Sequence, residues 1–75
     1  MNYALEVLLM THPEHAPIQI GTEYIGPGCW RAVVLDQDGK VLEVLGMAKS
    51  AAGVAGYSLQ YIVQKDLQGW RAVFD

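Results

Sequence analysis

The sequence predicts an α+β fold, a single small domain with a mainly antiparallel sheet of four to five strands and one helix packed on one face, in the order β-β-β-β-α-β. Three observations predict it. Short runs of aliphatic and β-branched residues alternate with turn residues along most of the chain, which is strand patterning. Residues 30–46 read as one β-hairpin, two such runs flanking Asp36-Gln37-Asp38-Gly39. Only residues 50–67 have the length and spacing of a substantial helix.

The elements follow in order. In residues 3–10, Tyr3, Leu5, Val7 and Leu9 alternate with Ala4, Glu6, Leu8 and Met10. Both sides are mostly apolar, so a central strand is expected. Residues 11–17 are expected to form a loop, because Pro13 and Pro17 lack backbone donors and keep His12 and Ala16 out of helical geometry. Residues 18–25 alternate more cleanly, Ile18, Ile20, Thr22 and Tyr24 against Gln19, Gly21 and Glu23. A polar face with an internal glycine suggests a half-exposed edge strand. Residues 26–28 turn the chain into the hairpin.

In that hairpin, Trp30, Ala32 and Val34 face one way and Arg31, Val33 and Leu35 the other. Strict alternation puts Leu42 and Val44 on one face of the return strand, and Val41, Glu43 and Leu45 on the other. Asp36 is placed to accept bonds from backbone N–H groups, and Gly39 to take the left-handed conformation that closes a type I turn with a bulge. Neither strand has a wholly polar face, so the sheet needs cover on both sides.

Ser50 is a good N-cap for the helix. At about 100° per residue, Ala52, Ala55, Gly56, Leu59, Ile62, Val63 and Leu67 share one arc, which is expected to be the buried one. Val54, Tyr57, Gln60, Tyr61 and Gln64, with Lys65, share the opposite arc. Tyrosines one turn apart among amides have the composition of an interface hot spot, and this set is the expected partner-binding site. Gln68-Gly69 ends the helix, and residues 70–75 form a last strand. Trp-Arg-Ala-Val occurs at residues 30–33 and again at 70–73, as two strands under similar demands.

Composition bounds the function. Seventy-five residues make one domain, and such a chain buries only roughly 60–65% of its unfolded surface, so association with a second copy is an available source of burial. With 52% hydrophobic and 17% charged residues the chain is globular. No apolar run reaches the ~18–20 residues of a membrane span, and the start lacks a signal-peptide pattern. Cys29 is a lone cysteine, which points to a reducing, cytoplasmic compartment. Eight acids outweigh five bases for a net charge of −3, and the bases are scattered singly. Phosphate binding needs clustered Lys and Arg, so nucleic acid is not the expected partner.

The strand–strand–strand–helix–strand order resembles RNase H-like folds, including the HicB-like antitoxin domain, in topology alone. A nuclease of that kind requires inward carboxylates in its first strand and in its helix. Glu6 stands in the first strand, but residues 50–65 contain no acid. Gly53-Val54-Ala55-Gly56 has the GxxG spacing of KH domains, yet no base is closer than Lys49, and close helix–sheet packing explains it better. His12 and His15 bracket Glu14, so this loop supplies two positions of a zinc site if Glu14 or Cys29 completes it. A nucleophilic Cys29 would need one of the same histidines as its base.

No catalytic residue, cofactor or metal is therefore expected. The expected function is a non-enzymatic protein-interaction module from a phage or bacterium, a small regulator or inhibitor of the antitoxin or anti-defence (anti-CRISPR-like) kind. It would act by binding a protein partner or by homodimerising. Two alternatives stand beside it. One is a small metal- or thiol-dependent enzyme using His12, Glu14, His15 and Cys29. The other is a weak binder of single-stranded nucleic acid using the sheet aromatics Trp30 and Trp70.

Overall fold

A four-strand meander opens the computed structural model, which describes residues 7–73: β1 (Val7–His12), β2 (His15–Gly26), β3 (Cys29–Leu35) and β4 (Val41–Ala48). Helix α1 (Ala51–Asp66) and strand β5 (Arg71–Val73) follow. The sheet order is β4-β3-β2-β1-β5 with every neighbouring pair antiparallel, giving a small compact α+β domain. The helix must therefore carry the chain from one edge of the sheet to the other. The first half of the expected first strand, residues 3–6, lies outside the described residues, as does the end of the last.

The hairpin turn forms as its residues dictate. Asp36 Oδ1 accepts from the N–H groups of Asp38 at 2.8 Å and Lys40 at 2.9 Å. The Gly39 N–H donates to Asp36 O at 3.1 Å, and Gly39 takes φ +85°. Ser50 caps α1 by accepting from the Gly53 N–H at 3.0 Å. At the other end Trp70 N–H donates to Lys65 O and Gly69 N–H to Asp66 O, with Gly69 at φ +95°. These are the paired bonds of a Schellman motif.

Two strand expectations are corrected. Residues 11–17 are no loop: β1 and β2 join through Pro13-Glu14 alone, and Pro17 lies within β2. The register shifts between the Met10–Ile18 and His12–His15 pairs, so Ala16 and Pro17 oppose Thr11 alone. Proline fits in that bulge because no ladder bond is asked of it there. Nor is β2 an edge, since β3 and β1 flank it. Its polar residues find partners within the sheet: Arg31 bonds Glu23 across strands at 2.9 Å, and Gln19 Nε2 donates to Asp36 O at 3.4 Å. The true edges are β4 and β5.

Register sorts side chains between the two faces. Ile20 opposite Val34 and Leu8, Thr22 opposite Ala32, and Met10 opposite Ile18 and Ala72 define the helix-covered face. Met10, Ile20 and Trp70 are the buried centre there, with Ile18, Leu45, Tyr61 and Ile62 packed around them. The other face carries Val7, Gly21, Val33 and Val44 in one row, and Val73, Leu9, Gln19, Leu35 and Val41 in the next. Two register shifts in β4 bring Val41, Val44 and Met47 onto this one face. Strict alternation had separated Val41 from Val44.

The helix is rotated relative to the expected arc, which is the largest correction. Val54 is 0% exposed and Tyr61 packs on the core, whereas Leu59, Val63 and Leu67 are 62%, 61% and 83% exposed. Fit against β4 decides this. A Cβ on Gly46 would meet the Tyr57 ring at 2.7 Å, so the ring lies flat on bare backbone. A Cβ on Gly53 would meet Ala48 Cβ at 2.8 Å, so the first turn sits close against the strand. Small residues on both elements thus seat the tyrosine side of α1 and turn the leucine side outward.

Candidate interaction surfaces

The outward side of α1 is unusual in its chemistry. No charged residue occurs between Ala51 and Gln64. Surface helices ordinarily place charges opposite the core. Here Leu59, Val63 and Leu67 stand at successive i+4 positions, so they form one ridge along the helix. Gln60 and Gln64 are exposed beside it. Of the residues expected to bind a partner, these two glutamines lie at the surface. Val54 is buried and Tyr61 half-buried. Tyr57 is 42% exposed, but its ring rests on Gly46. The expected set therefore does not form one surface, and the ridge that sequence periodicity assigned to the core is exposed instead.

Beside the ridge runs a groove of about 390 Å³, lined by Leu8, Ile20, Ala55, Ser58, Leu59 and Ile62 among others. The buried Ser58 hydroxyl has no hydrogen-bond partner among the described residues. On the inner side of the helix, burial and then the nearby Glu43 charge push the Tyr61 phenol above its ordinary ionisation range.

The second surface is the sheet face away from the helix. Val7, Leu9, Val41, Val44, Met47 and Val73 on it are between 37% and 55% exposed. Its central ion pair is internal, Arg31 to Glu23. A shallow hollow of about 450 Å³ opens there, bounded by this pair with Val33, Leu35 and Val41.

The histidine turn is a structural clasp. Glu14 N–H donates to His12 Nδ1 at 3.0 Å, so the proton of a neutral ring sits on Nε2, which donates to Gln68 O at 3.2 Å. Both ring nitrogens are thereby engaged, and no lone pair faces an open position for a metal. His15 stacks on Trp70 at 5.8 Å, and His12 lies 5.2 Å from the same indole. Together they tie the helix C-terminus to the β1–β2 turn. Cys29 starts β3 beyond the far end of β2. Twelve strand residues separate the two ends by roughly 35 Å, so thiol and histidines form no common site. Among the described residues no group of three or more His, Cys, Asp and Glu converges on one point.

Among the described residues the tryptophans form no open stacking platform. Trp70 is 7% exposed within the core, and half-buried Trp30 packs on Tyr24 at 5.1 Å. Among the described residues no helix is long and apolar enough to cross a membrane. No protein-family model, curated protein or solved structure matches the chain.

Proposed function

We propose that this chain is a non-enzymatic protein-interaction module, a small regulator or inhibitor that lays the outer face of α1 into an apolar groove of a protein partner. One observation carries the reading: the charge-free ridge of Leu59, Val63 and Leu67, all more than 60% exposed. Burying each such side chain is worth about 1.5–3 kcal/mol, and anchors one turn apart are how amphipathic helices bind grooves. Gln60 and Gln64 supply hydrogen-bonding groups for the rim of the contact. The Leu59 flank of the groove, with its orphan Ser58 hydroxyl, offers a complementary slot for a partner side chain carrying a polar tip. Antitoxins and phage anti-defence (anti-CRISPR-like) proteins are the class to which size, acidity and this mode of action point, by analogy.

The test uses immobilised native chain and the Leu59→Gln/Val63→Gln double variant against bacterial lysate, with quantitative mass spectrometry and repeat binding of purified hits. Both changed residues are exposed, so the variant keeps its circular dichroism and melting temperature. A partner held by the native chain and weakened about tenfold or more by the variant supports the reading. Equal retention of every hit by a folded variant removes it.

A further inference from the structure

We infer that the outward face of α1 pairs antiparallel with the same face of a second copy of this chain, about a two-fold axis between Leu59 and Gln60. This pairing covers the ridge until a partner displaces the second copy. The displacement rests on the partner reading; the pairing itself does not.

Glycine argues first. Gly53 has its reason within the chain, since a Cβ there would meet Ala48 Cβ at 2.8 Å. Gly56 has no such neighbour: a Cβ there would meet nothing within 4 Å. Glycine is among the least favourable residues inside a helix, and it lets another backbone approach closely. The bare backbone at Gly56 faces away from the sheet, on the side of Ala52, Leu59, Val63 and Leu67, all exposed. Val63 lies about 180° around the helix from the fully buried Val54. The centre of this face is therefore open to a second helix.

Spacing and charge name the occupant. The face is small towards the helix start, at Ala52 and Gly56, and bulky towards its end, at Val63 and Leu67. Ala52 and Leu67 lie equally far from the midpoint between Leu59 and Gln60, and so do Gly56 and Val63. A copy turned end for end about that midpoint sets Leu67 against Ala52 and Val63 against Gly56. The two Leu59 side chains meet on one flank of the axis, and the two Gln60 amides meet on the other. A parallel pair would oppose bulky residues at one end and leave a gap at the other. A two-fold contact demands such self-complementarity, whereas a foreign partner requires no relation between the halves of the face. Charge agrees. No charged residue occurs between Ala51 and Gln64, so two acidic copies bring no like charges into the seam. Asp66, which holds Arg71 through Oδ1, lies at the helix end where the dipole disfavours an acid, and the first turn has no acid. Antiparallel pairing brings Asp66 of each copy to the positive end of the other helix. That end also carries Lys49, which is exposed and has no ion pair among the described residues. The helix has 16 residues, about 24 Å, so the contact belongs to the weak class below about 1,200 Å². Weakness suits a contact that a partner displaces.

The experiment joins sedimentation equilibrium of the full chain, up to ~500 µM, to disulfide trapping with an added oxidant in a Cys29→Ser background. The native chain is expected to approach a mass of twice 8.2 kDa at the top of that range. Gly56→Leu fills the notch at an open position and is expected to dimerise about tenfold or more weakly. Gln60→Cys stands at the axis and is expected to give a covalent dimer. Ala52→Cys and Leu67→Cys each lie about 22 Å from their own copy, beyond the ~7 Å that a disulfide spans. Each is expected to stay uncrosslinked alone and to crosslink when the two are mixed. A native chain that stays monomeric throughout overturns the inference. So does a dimer untouched by Gly56→Leu, and so does Ala52→Cys crosslinking alone as readily as Gln60→Cys, which would make the pair parallel. These readouts use purified chain, so they fail separately from the lysate capture. A monomeric chain that still holds a partner removes the pairing and keeps the partner reading; a dimer that captures nothing does the reverse. A purified partner at saturation is expected to suppress the Gln60→Cys crosslink, and undiminished crosslinking removes the displacement.

Discussion

Three residues apart on α1, two glycines do opposite work. A Cβ at Gly53 collides with Ala48, whereas a Cβ at Gly56 meets nothing within 4 Å. Alanine is favoured over glycine inside a helix by about 1 kcal/mol. Gly56→Ala is therefore expected to stabilise the fold by about 1 kcal/mol, while Gly53→Ala loses that gain to the clash and destabilises. Chemical denaturation of the two variants checks this, and equal gains at both sites would refute the close seat of the first turn. Tyr61 makes a second prediction. Burial, then Glu43, raises its ionisation above the ordinary value of 10.0. The folded chain keeps the phenol neutral at a pH where the unfolded chain has begun to ionise it. The stability linked to Tyr61 is fully present below about pH 10 and is lost as pH rises through the folded value. Melting temperature should fall more steeply above about pH 10 in the native chain than in Tyr61→Phe, with Glu43→Gln in between. Parallel curves for all three would show that the phenol is not held as described.

The hairpin and the helix show how differently two elements can be read. The turn at Asp36 and Gly39, the Ser50 cap and the Gly69 stop all form as their residues require. Each rests on bonds within five positions along the chain. The rotation of α1 rests on Gly46 and Ala48, which belong to another element. Its sequence cannot reveal the choice, because apolar residues occupy both the Val54/Tyr61/Ile62 side and the Leu59/Val63/Leu67 side. Gly46→Ala forces the Tyr57 ring off the strand and should cost about 1–3 kcal/mol. In a Tyr57→Ser background most of that cost should disappear. A double-mutant cycle measured by urea denaturation reads the coupling. Additive effects would mean that the ring does not set the helix.

At the scale of the whole molecule, one helix is too little to cover a five-stranded sheet on both faces. The chain buries Met10, Ile20 and Trp70 under α1, and on the reverse face Val33 and Leu35 are also buried while Val7, Leu9, Val41, Val44, Met47 and Val73 around them stay partly exposed. The histidine clasp closes the fold at the end of the helix. It uses the residues that sequence spacing offered as metal ligands.

Element types, their order, the turn at Asp36–Gly39 and the helix caps follow from the sequence by itself, since residues a few positions apart decide them through backbone conformation and local hydrogen bonds. The outline of an α+β sheet with one covering helix follows for the same reason. Which strands form the edges, which side of α1 is buried and which side chains line the open face were decided only by tertiary structure. Those outcomes depend on pairing and packing between distant segments. Two shifts of register in β4 suffice to change the phase of its alternation, and a bare glycine backbone under Tyr57 suffices to choose between two apolar sides of a helix. For that reason Leu59, Val63 and Leu67 stand at the surface where the sequence led us to expect core, and Val54 and Tyr61 stand inward where it led us to expect a partner surface.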